Sequence, residues 1–245
     1  MIAKAKSAKN KTLEYRLLMG LDAIGVPVKD QQMFTIDDIK IASMRTLVWM
    51  GKLNEKYGAE HARKPFEEAV KRDEFEYLID ALFGAAALEE RLAAKGQGKW
   101  EVAIKFYQEI EKDFPSDPRA ATAMLKRTDI LMKLGKRNQA IKCYETVLKS
   151  PAWRGEAYAE ALYKLGQIAM HNKKTNEALM YFDRCYLGYA NCYNWTGKAV
   201  LSAAQLLVAN GENKKAKELC AEFIENKLNE ASPDYAEIKQ YFNIL

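Results

Sequence analysis

The sequence predicts an all-α fold built from stacked antiparallel helix pairs, and three observations carry that expectation. The run Ala103-Ile-Lys-Phe-Tyr107-Gln-Glu-Ile110 returns as Ala140-Ile-Lys-Cys-Tyr144-Glu-Thr-Val147 and again as Ala178-Leu-Met-Tyr-Phe182-Asp-Arg-Cys185. The three alanines stand 37 and 38 residues apart, and Ala216 follows after another 38 with Leu219, Cys220 and Phe223 on the same face. Five residues before three of these small residues stands a glycine, Gly98, Gly135 or Gly211, where the left-handed conformation ends a helix cheaply. Recurrence at this period marks a repeat array, in which each unit buries its apolar face against its neighbours.

The small residue lets two helix backbones approach, and the aromatic one turn later fills the wedge beside it. Lys173 takes the turn position before Ala178, so closure of that turn is expected from a neighbour such as Asn172.

Taken in order, Met1 to Lys11 carries Lys4, Lys6, Lys9 and Lys11 with little apolar content. It reads as a solvated arm, with contact to an anionic surface as the functional alternative. Leu13, Tyr15, Leu17, Leu18, Leu21 and Ile24 then give an amphipathic helix that stops near Gly25 and Pro27. Thr35 and Asp38 have capping-box spacing, and an apolar stripe from Ile39 to Leu53 predicts one long helix ending around Gly58. Ala62, Phe66 and Ala69 repeat the small-aromatic-small pattern, but Pro65 is expected to interrupt their helix. A helix from Phe75 runs to Gly96, and Trp100 is placed in the turn that follows.

Asp117-Pro118 is a strong helix start, with aspartate as the cap and proline at the first helical position. Helices over Glu156–His171 and Thr175–Leu187 form the best-matched pair, and an aromatic-rich connection is expected from Tyr186 to Trp195. Ser232-Pro233 opens a last helix whose Tyr235, Ile238, Tyr241, Phe242 and Leu245 seal the end of the stack. The expected organisation is a basic arm and capping helix over 1–34, a degenerate repeat over 35–83, the array proper over 84–230 and a sealing helix over 231–245.

These residues resemble those of the tetratricopeptide-repeat proteins, arrays of helix-turn-helix units of about 34 residues. Leu165-Gly166 in a first helix, Glu177-Ala178 opening a second and Phe182 after it match best. The preceding unit has Arg127-Thr128 and the following one Ala203-Ala204 where the family favours a large apolar residue and glycine. A proline near a unit's close appears only as Pro115 and Pro151, and the resemblance covers roughly Gly84 to Lys227. It implies a right-handed α-solenoid acting as a non-enzymatic scaffold or adaptor, of the kind found in bacteria, that takes a protein or peptide partner in its concave groove.

In such an array the first helices line the groove. The residues expected there are Leu88, Glu89 and Leu92; Leu125, Lys126, Asp129 and Lys133; Tyr163, Lys164, Gln167 and His171; then Lys198, Leu201, Ser202 and Gln205. This mixture of apolar surface and lysines suits a segment with apolar anchors and acidic residues; the bland alternative is a solvated helix face. Members that grip a C-terminal carboxylate use lysine, asparagine and arginine at groove places that here hold Leu88, Leu92, Thr122, Leu125 and Lys126, so no such clamp is expected. Tyr189, Tyr193 and Trp195 are a candidate recognition patch, against the plainer reading that they pack their loop onto the scaffold.

Composition narrows the classes further. The 245 residues are 49% hydrophobic with a net charge of +5, enough to bury a substantial core without disulfides. Lysines interleave with glutamates, so polyanion or nucleic-acid binding through the arm and groove lysines ranks second to protein binding. Two histidines and four scattered cysteines offer no metal site, and no catalytic motif, cofactor site or small-molecule substrate is expected. Cys143, Cys185 and Cys220 read as small core residues, whereas Cys192 falls in the aromatic connection and is expected to be exposed. No apolar run reaches the length of a membrane span. The chain as written is expected in the cytoplasm, and in the periplasm or at the envelope if a leader precedes it.

Overall fold

Helix starts follow local capping chemistry at Asn10, Thr35, Ser43 and Asp117 in the structure, a computed structural model that describes residues 10–26, 28, 34–55 and 59–245. Nearly all of the basic arm, and the expected helix stops at Pro27 and Gly58, lie outside the described residues. Thirteen α-helices and two short 3-10 turns, with no strand among the described residues, divide into two compact units, 1–115 and 116–245.

In the first unit, α1 (Lys11–Ala23) is capped by Asn10, whose side chain accepts from the Leu13 N–H at 3.0 Å. The capping box forms as expected: Thr35 N–H donates to Asp38 at 2.9 Å and Asp38 N–H to the Thr35 hydroxyl at 3.1 Å, opening α2 (Ile36–Ile41). The single long helix expected here is corrected. Ala42 and Ser43 are extended, and Ser43 instead caps a new helix, α3 (Met44–Asn54), by accepting from Thr46 N–H at 3.3 Å. Serine competes for the N-cap better than it continues a helix. The carbonyls freed at the end of α2 are not orphaned, because the Arg72 guanidinium donates to Ile39 at 3.0 Å, to Lys40 at 2.9 Å and to Ala42.

Pro65 also departs from expectation, lying inside a continuous helix, α4 (Ala59–Arg72). Proline has no N–H to offer the carbonyl four residues earlier, that of His61. The buried Asn54 side-chain amide donates to that carbonyl at 3.1 Å and supplies the missing bond. Next come α5 (Phe75–Ala94) and α6 (Trp100–Asp113), which includes Trp100 in its first turn rather than in the preceding loop. Within this unit α3 pairs with α4 and α5 with α6, while α4 packs on α5.

The second unit opens at Asp117, which accepts from Arg119 N–H at 2.8 Å and caps α7 (Pro118–Lys133). Then follow α8 (Arg137–Lys149), a 3-10 turn (Pro151–Trp153), α9 (Glu156–His171), α10 (Thr175–Gly188), α11 (Tyr193–Ala209) and α12 (Asn213–Glu225). A second 3-10 turn (Lys227–Ala231) leads to α13 (Tyr235–Ile244), whose Ile238 is fully buried and whose Tyr235, Tyr241 and Phe242 pack on α11 and α12. The aromatic connection is shorter than expected. Only Tyr189–Cys192 lies between α10 and α11, and Cys192 is buried.

The repeated pattern is the core. Ala62, Ala103, Ala140, Ala178 and Ala216 are all fully buried, and Phe66, Tyr107, Tyr144, Phe182 and Cys220 one turn later expose 2% or less. Cys143 and Cys185, like Cys220, are buried as expected, and burial pushes the Cys185 thiol up to about 12. At two first-helix glycines the aromatic of a second helix occupies the vacancy: a Cβ on Gly51 would lie 2.5 Å from the Phe66 ring, and one on Gly84 would overlap the same ring.

The turns of the pairs α5–α6, α7–α8, α9–α10 and α11–α12 share one bonding pattern. Gly96 N–H donates to Ala93 and Gln97 N–H to Leu92; Gly135 and Lys136 donate likewise to Met132 and Leu131, Lys173 and Lys174 to Met170 and Ala169, and Gly211 and Glu212 to Val208 and Leu207. These are Schellman closures, which need a left-handed residue after the helix. Two expectations are corrected here. The left-handed glycine after α5 is Gly96, not Gly98, and Lys173 adopts the conformation itself at φ 59°, with Asn172 right-handed.

Candidate partner-binding site

The first helices of the second unit, α7, α9 and α11, lie side by side and share one accessible face. Their apolar stripes turn toward α8, α10 and α12, which leaves polar and aromatic side chains outward. On α7 these are Lys126, Asp129 and Lys133; on α9, Tyr163, Lys164, Gln167 and His171; on α11, Lys198 and Gln205.

Side-chain contacts run between the three helices. Lys164 of α9 pairs with Asp129 of α7 at 3.8 Å, and Gln167 of α9 donates to the Ser202 hydroxyl of α11 at 2.9 Å. The Tyr163 ring lies 5.7 Å from the Trp195 ring, and the Lys198 ammonium sits 4.7 Å over that indole. A half-exposed ion pair of this length contributes roughly 0.2–1 kcal/mol and an exposed cation–π contact about 0.5–1 kcal/mol. The contacts therefore orient the face more than they stabilise the unit.

Other expected residues do not join this face. Leu88, Leu92 and Leu125 expose 2%, 6% and 7%, and their placement in a groove lining is corrected to core packing. On a helix packed on two sides the apolar stripe widens until those leucines are consumed by neighbours. Glu89 is likewise buried, gripped by Arg63 at 2.7 and 3.2 Å. Leu201 packs on the cluster around α13. Of the aromatic patch, Trp195 joins the face through Tyr163. Tyr189 packs on Tyr158 at 5.7 Å, and the Tyr193 carbonyl accepts from the Ser232 hydroxyl at 3.1 Å.

Two residues of the site were missed. Glu160 lies one turn before Lys164 on α9; burial above all, and then Asp129, raise its carboxyl above the ordinary range, against the pull of Lys164, Lys126 and Lys198. Its spacing to Lys164 is the signal that could have found it. Arg137, first residue of α8, borders a cleft of about 460 Å³ together with Asp129, Lys164 and His171. Nothing in the first-helix pattern points to it, because it belongs to a second helix.

The cleft is floored by Met132, Tyr144, Ile168 and Met170, and burial pushes the Tyr144 phenol well above its ordinary value. Burial also holds the Cys192 thiol up at about 11, so it is a poor nucleophile. Among the described residues no group of three His, Cys, Asp or Glu side chains could hold a metal ion, and no helix is long and apolar enough to cross a membrane. The face presents cations, adjoining rings and a side-chain amide.

Residues 80–117 and 125–188 match sequence models of the tetratricopeptide repeat. No curated protein matches the chain significantly in sequence. Among solved structures the chain is similar to BtubC (BKLC) from P. vanneervenii, with 16% identity, a TM-score of 0.57, and 97% of this chain and 90% of that one covered. It is also similar to PilF of Pseudomonas aeruginosa, at 13% identity and a TM-score of 0.57 over 98% and 99% of the two chains. A tetratricopeptide repeat protein from Parabacteroides merdae matches at 17% identity and a TM-score of 0.54 over 82% of this chain and 75% of that one. At these identities the likeness concerns the fold. With the repeated small-aromatic core, the common turn closure and the two matched segments, this all-α chain carries tetratricopeptide repeats over 80–117 and 125–188, a repeat that generally serves as a protein-interaction scaffold.

Proposed function

We propose that the chain is a non-enzymatic adaptor that holds a partner's extended segment across the first-helix face of α7, α9 and α11. The observation that supports it is the joining of three successive first helices into one accessible surface by Lys164–Asp129, Gln167–Ser202 and Tyr163–Trp195. Aromatic and long cationic side chains held by such contacts form a preorganised anchor surface, which reduces the entropy lost on binding.

The charge pattern favours a peptide over a polyanion. Asp129 and Glu160 stand among Lys126, Lys164 and Lys198, whereas a phosphate backbone favours cations without interleaved carboxylates. The narrower form of the proposal, an adaptor in bacterial cell-envelope assembly, rests on the resemblance to bacterial scaffolds and is tested by fractionating source cells.

The binding face is tested by placing a photo-crosslinking residue at Lys126 or Gln205 on first helices, and at Lys142 or Asn176 on second helices, all four being exposed. The same partner crosslinks from the first-helix positions and not from the second-helix ones. Crosslinking confined to Lys142 and Asn176 would overturn the assignment.

A further inference from the structure

The cleft bordered by Arg137 has a chemistry of its own. Its floor is apolar and adaptable, made by two methionines, Met132 and Met170, with Ile168 and the Tyr144 ring. Methionine reshapes to fit different apolar side chains at small cost. Its rim is cationic. Its two cations, Arg137 and Lys164, stand beside the His171 imidazole and one carboxylate, Asp129, which already lies 3.8 Å from Lys164. The Arg137 guanidinium contacts a neutral acceptor, the Asn172 side-chain oxygen, at 3.4 Å, and Arg137 is exposed. Its charge is therefore available to an incoming anion. The residue that caps α8, Lys136, makes no side-chain bond to the first N–H groups of that helix, so the helix's positive end adds to the same field.

At about 460 Å³ the cleft has room for one large or two smaller side chains rather than a folded element. Lys164 and Gln167 line it and also belong to the first-helix face. A chain lying on that face can reach the cleft without a break.

We infer that the cleft takes an aliphatic or aromatic side chain of a partner peptide together with a neighbouring side-chain carboxylate, the apolar group resting on Met132 and Met170 and the carboxylate on Arg137. This rests on the reading of the first-helix face as the partner-binding surface, and adds to it the composition of the segment. An Arg–carboxylate pair sets the position by paired N–H donors, and the apolar group supplies the area removed from water.

The test is a random peptide library displayed with no free C-terminal carboxylate and selected on the intact chain. Enriched peptides are remade with amidated C-termini and titrated calorimetrically. They are expected to carry Asp or Glu beside Leu, Ile, Met or Phe. Arg137→Glu, shown by circular dichroism to be as helical as the wild type, weakens them roughly tenfold or more, as loss of a charge-assisted pair does. Arg137→Lys weakens them less, and Met170→Ala weakens them several-fold. Replacing the peptide's carboxylate by an amide costs affinity in the wild type and recovers some in Arg137→Glu, where the two carboxylates repel.

Peptides without acidic enrichment, peptides indifferent to Arg137→Glu, or a library that enriches nothing would each overturn the inference. If such peptides still lose binding with Tyr163→Ala and Lys198→Glu, the first-helix face stands and the cleft assignment alone falls. Peptides that respond to neither set of changes overturn both.

Discussion

A Cβ added at Gly166 would lie 2.5 Å from the Phe182 ring, closer than carbon atoms approach. The first helix of that pair therefore has to carry glycine so that the aromatic of the second can press against its backbone. Gly166→Ala is expected to destabilise the chain by roughly 1–3 kcal/mol through overpacking, despite alanine's better helix propensity of about 1 kcal/mol. Gly20→Ala, in a helix where an added Cβ meets nothing within 4 Å, should instead be neutral or slightly stabilising. Urea denaturation of the two variants separates the effects, and a shared sign would contradict the packing account.

The Asn54 amide and Pro65 act on one carbonyl, that of His61. Asn54→Ala leaves this carbonyl without its donor and is expected to cost roughly 1–3 kcal/mol. Pro65→Ala restores a backbone N–H aimed at the same oxygen, so the double variant should recover part of the loss. A double-mutant cycle with no coupling would show that the substitution of side chain for backbone is incidental.

Arg63 and Glu89 form a partly buried pair in which the carboxylate residue is 5% exposed and the arginine side chain 36%. Arg63→Met is expected to cost roughly 1–3 kcal/mol by leaving that carboxylate without its donor. Arg63→Met with Glu89→Leu should cost much less, since replacing a whole pair by apolar groups is often near neutral. Equal losses in thermal denaturation would argue against the pairing.

Lys173 holds a left-handed conformation that costs a residue with a side chain roughly 1–2 kcal/mol. Lys173→Gly relieves that cost, less the entropy glycine gains in the unfolded chain. The melting temperature should rise slightly, whereas Gly135→Lys, the reverse change at the equivalent turn, should lower it.

Glu160 gives the pH dependence. Its carboxyl is raised in the folded chain by burial first and by Asp129 next, so the folded state holds that proton more tightly than the unfolded one. The contribution to stability is then fully present below the unfolded pKa and is lost as pH rises through the folded value. Glu160→Gln should be more stable than the wild type at neutral pH, with the advantage vanishing at acidic pH. An advantage that grows on acidification would reverse the sign and contradict the assignment.

The sequence made the core legible because packing leaves a periodic trace. Ala103, Tyr107 and Ile110 recur at one spacing, and all are buried. Capping was legible for the same local reason at Thr35, Asp38 and Asp117. Features that depend on distant partners were not. Nothing near Pro65 announces that Asn54 will serve its missing bond, and nothing near Ser43 announces that Arg72 will bind the carbonyls of a broken helix. The face was half legible. Lys126, Asp129, Tyr163, Lys164 and Gln167 come together, but Leu88, Leu92 and Leu125 are buried, because periodicity gives the direction of a side chain and not whether another helix covers it. Arg137 belongs to a second helix, outside the first-helix pattern, and Glu160 has the i,i+4 spacing to Lys164 that ordinary surface charge also shows.

The central claim is that partners bind on the first helices of the second unit. Its most direct measurement is the dissociation constant of a crosslinked partner's binding segment for the wild type, for Lys126→Glu with Tyr163→Ala and Lys164→Glu, and for Lys142→Glu on a second helix. All three proteins must first be shown equally helical by circular dichroism. The account predicts a loss of roughly a hundredfold in the triple variant, as removal of an aromatic anchor and two cations implies, with Lys142→Glu within a factor of about two. Equal affinity for the wild type and the triple variant would contradict it.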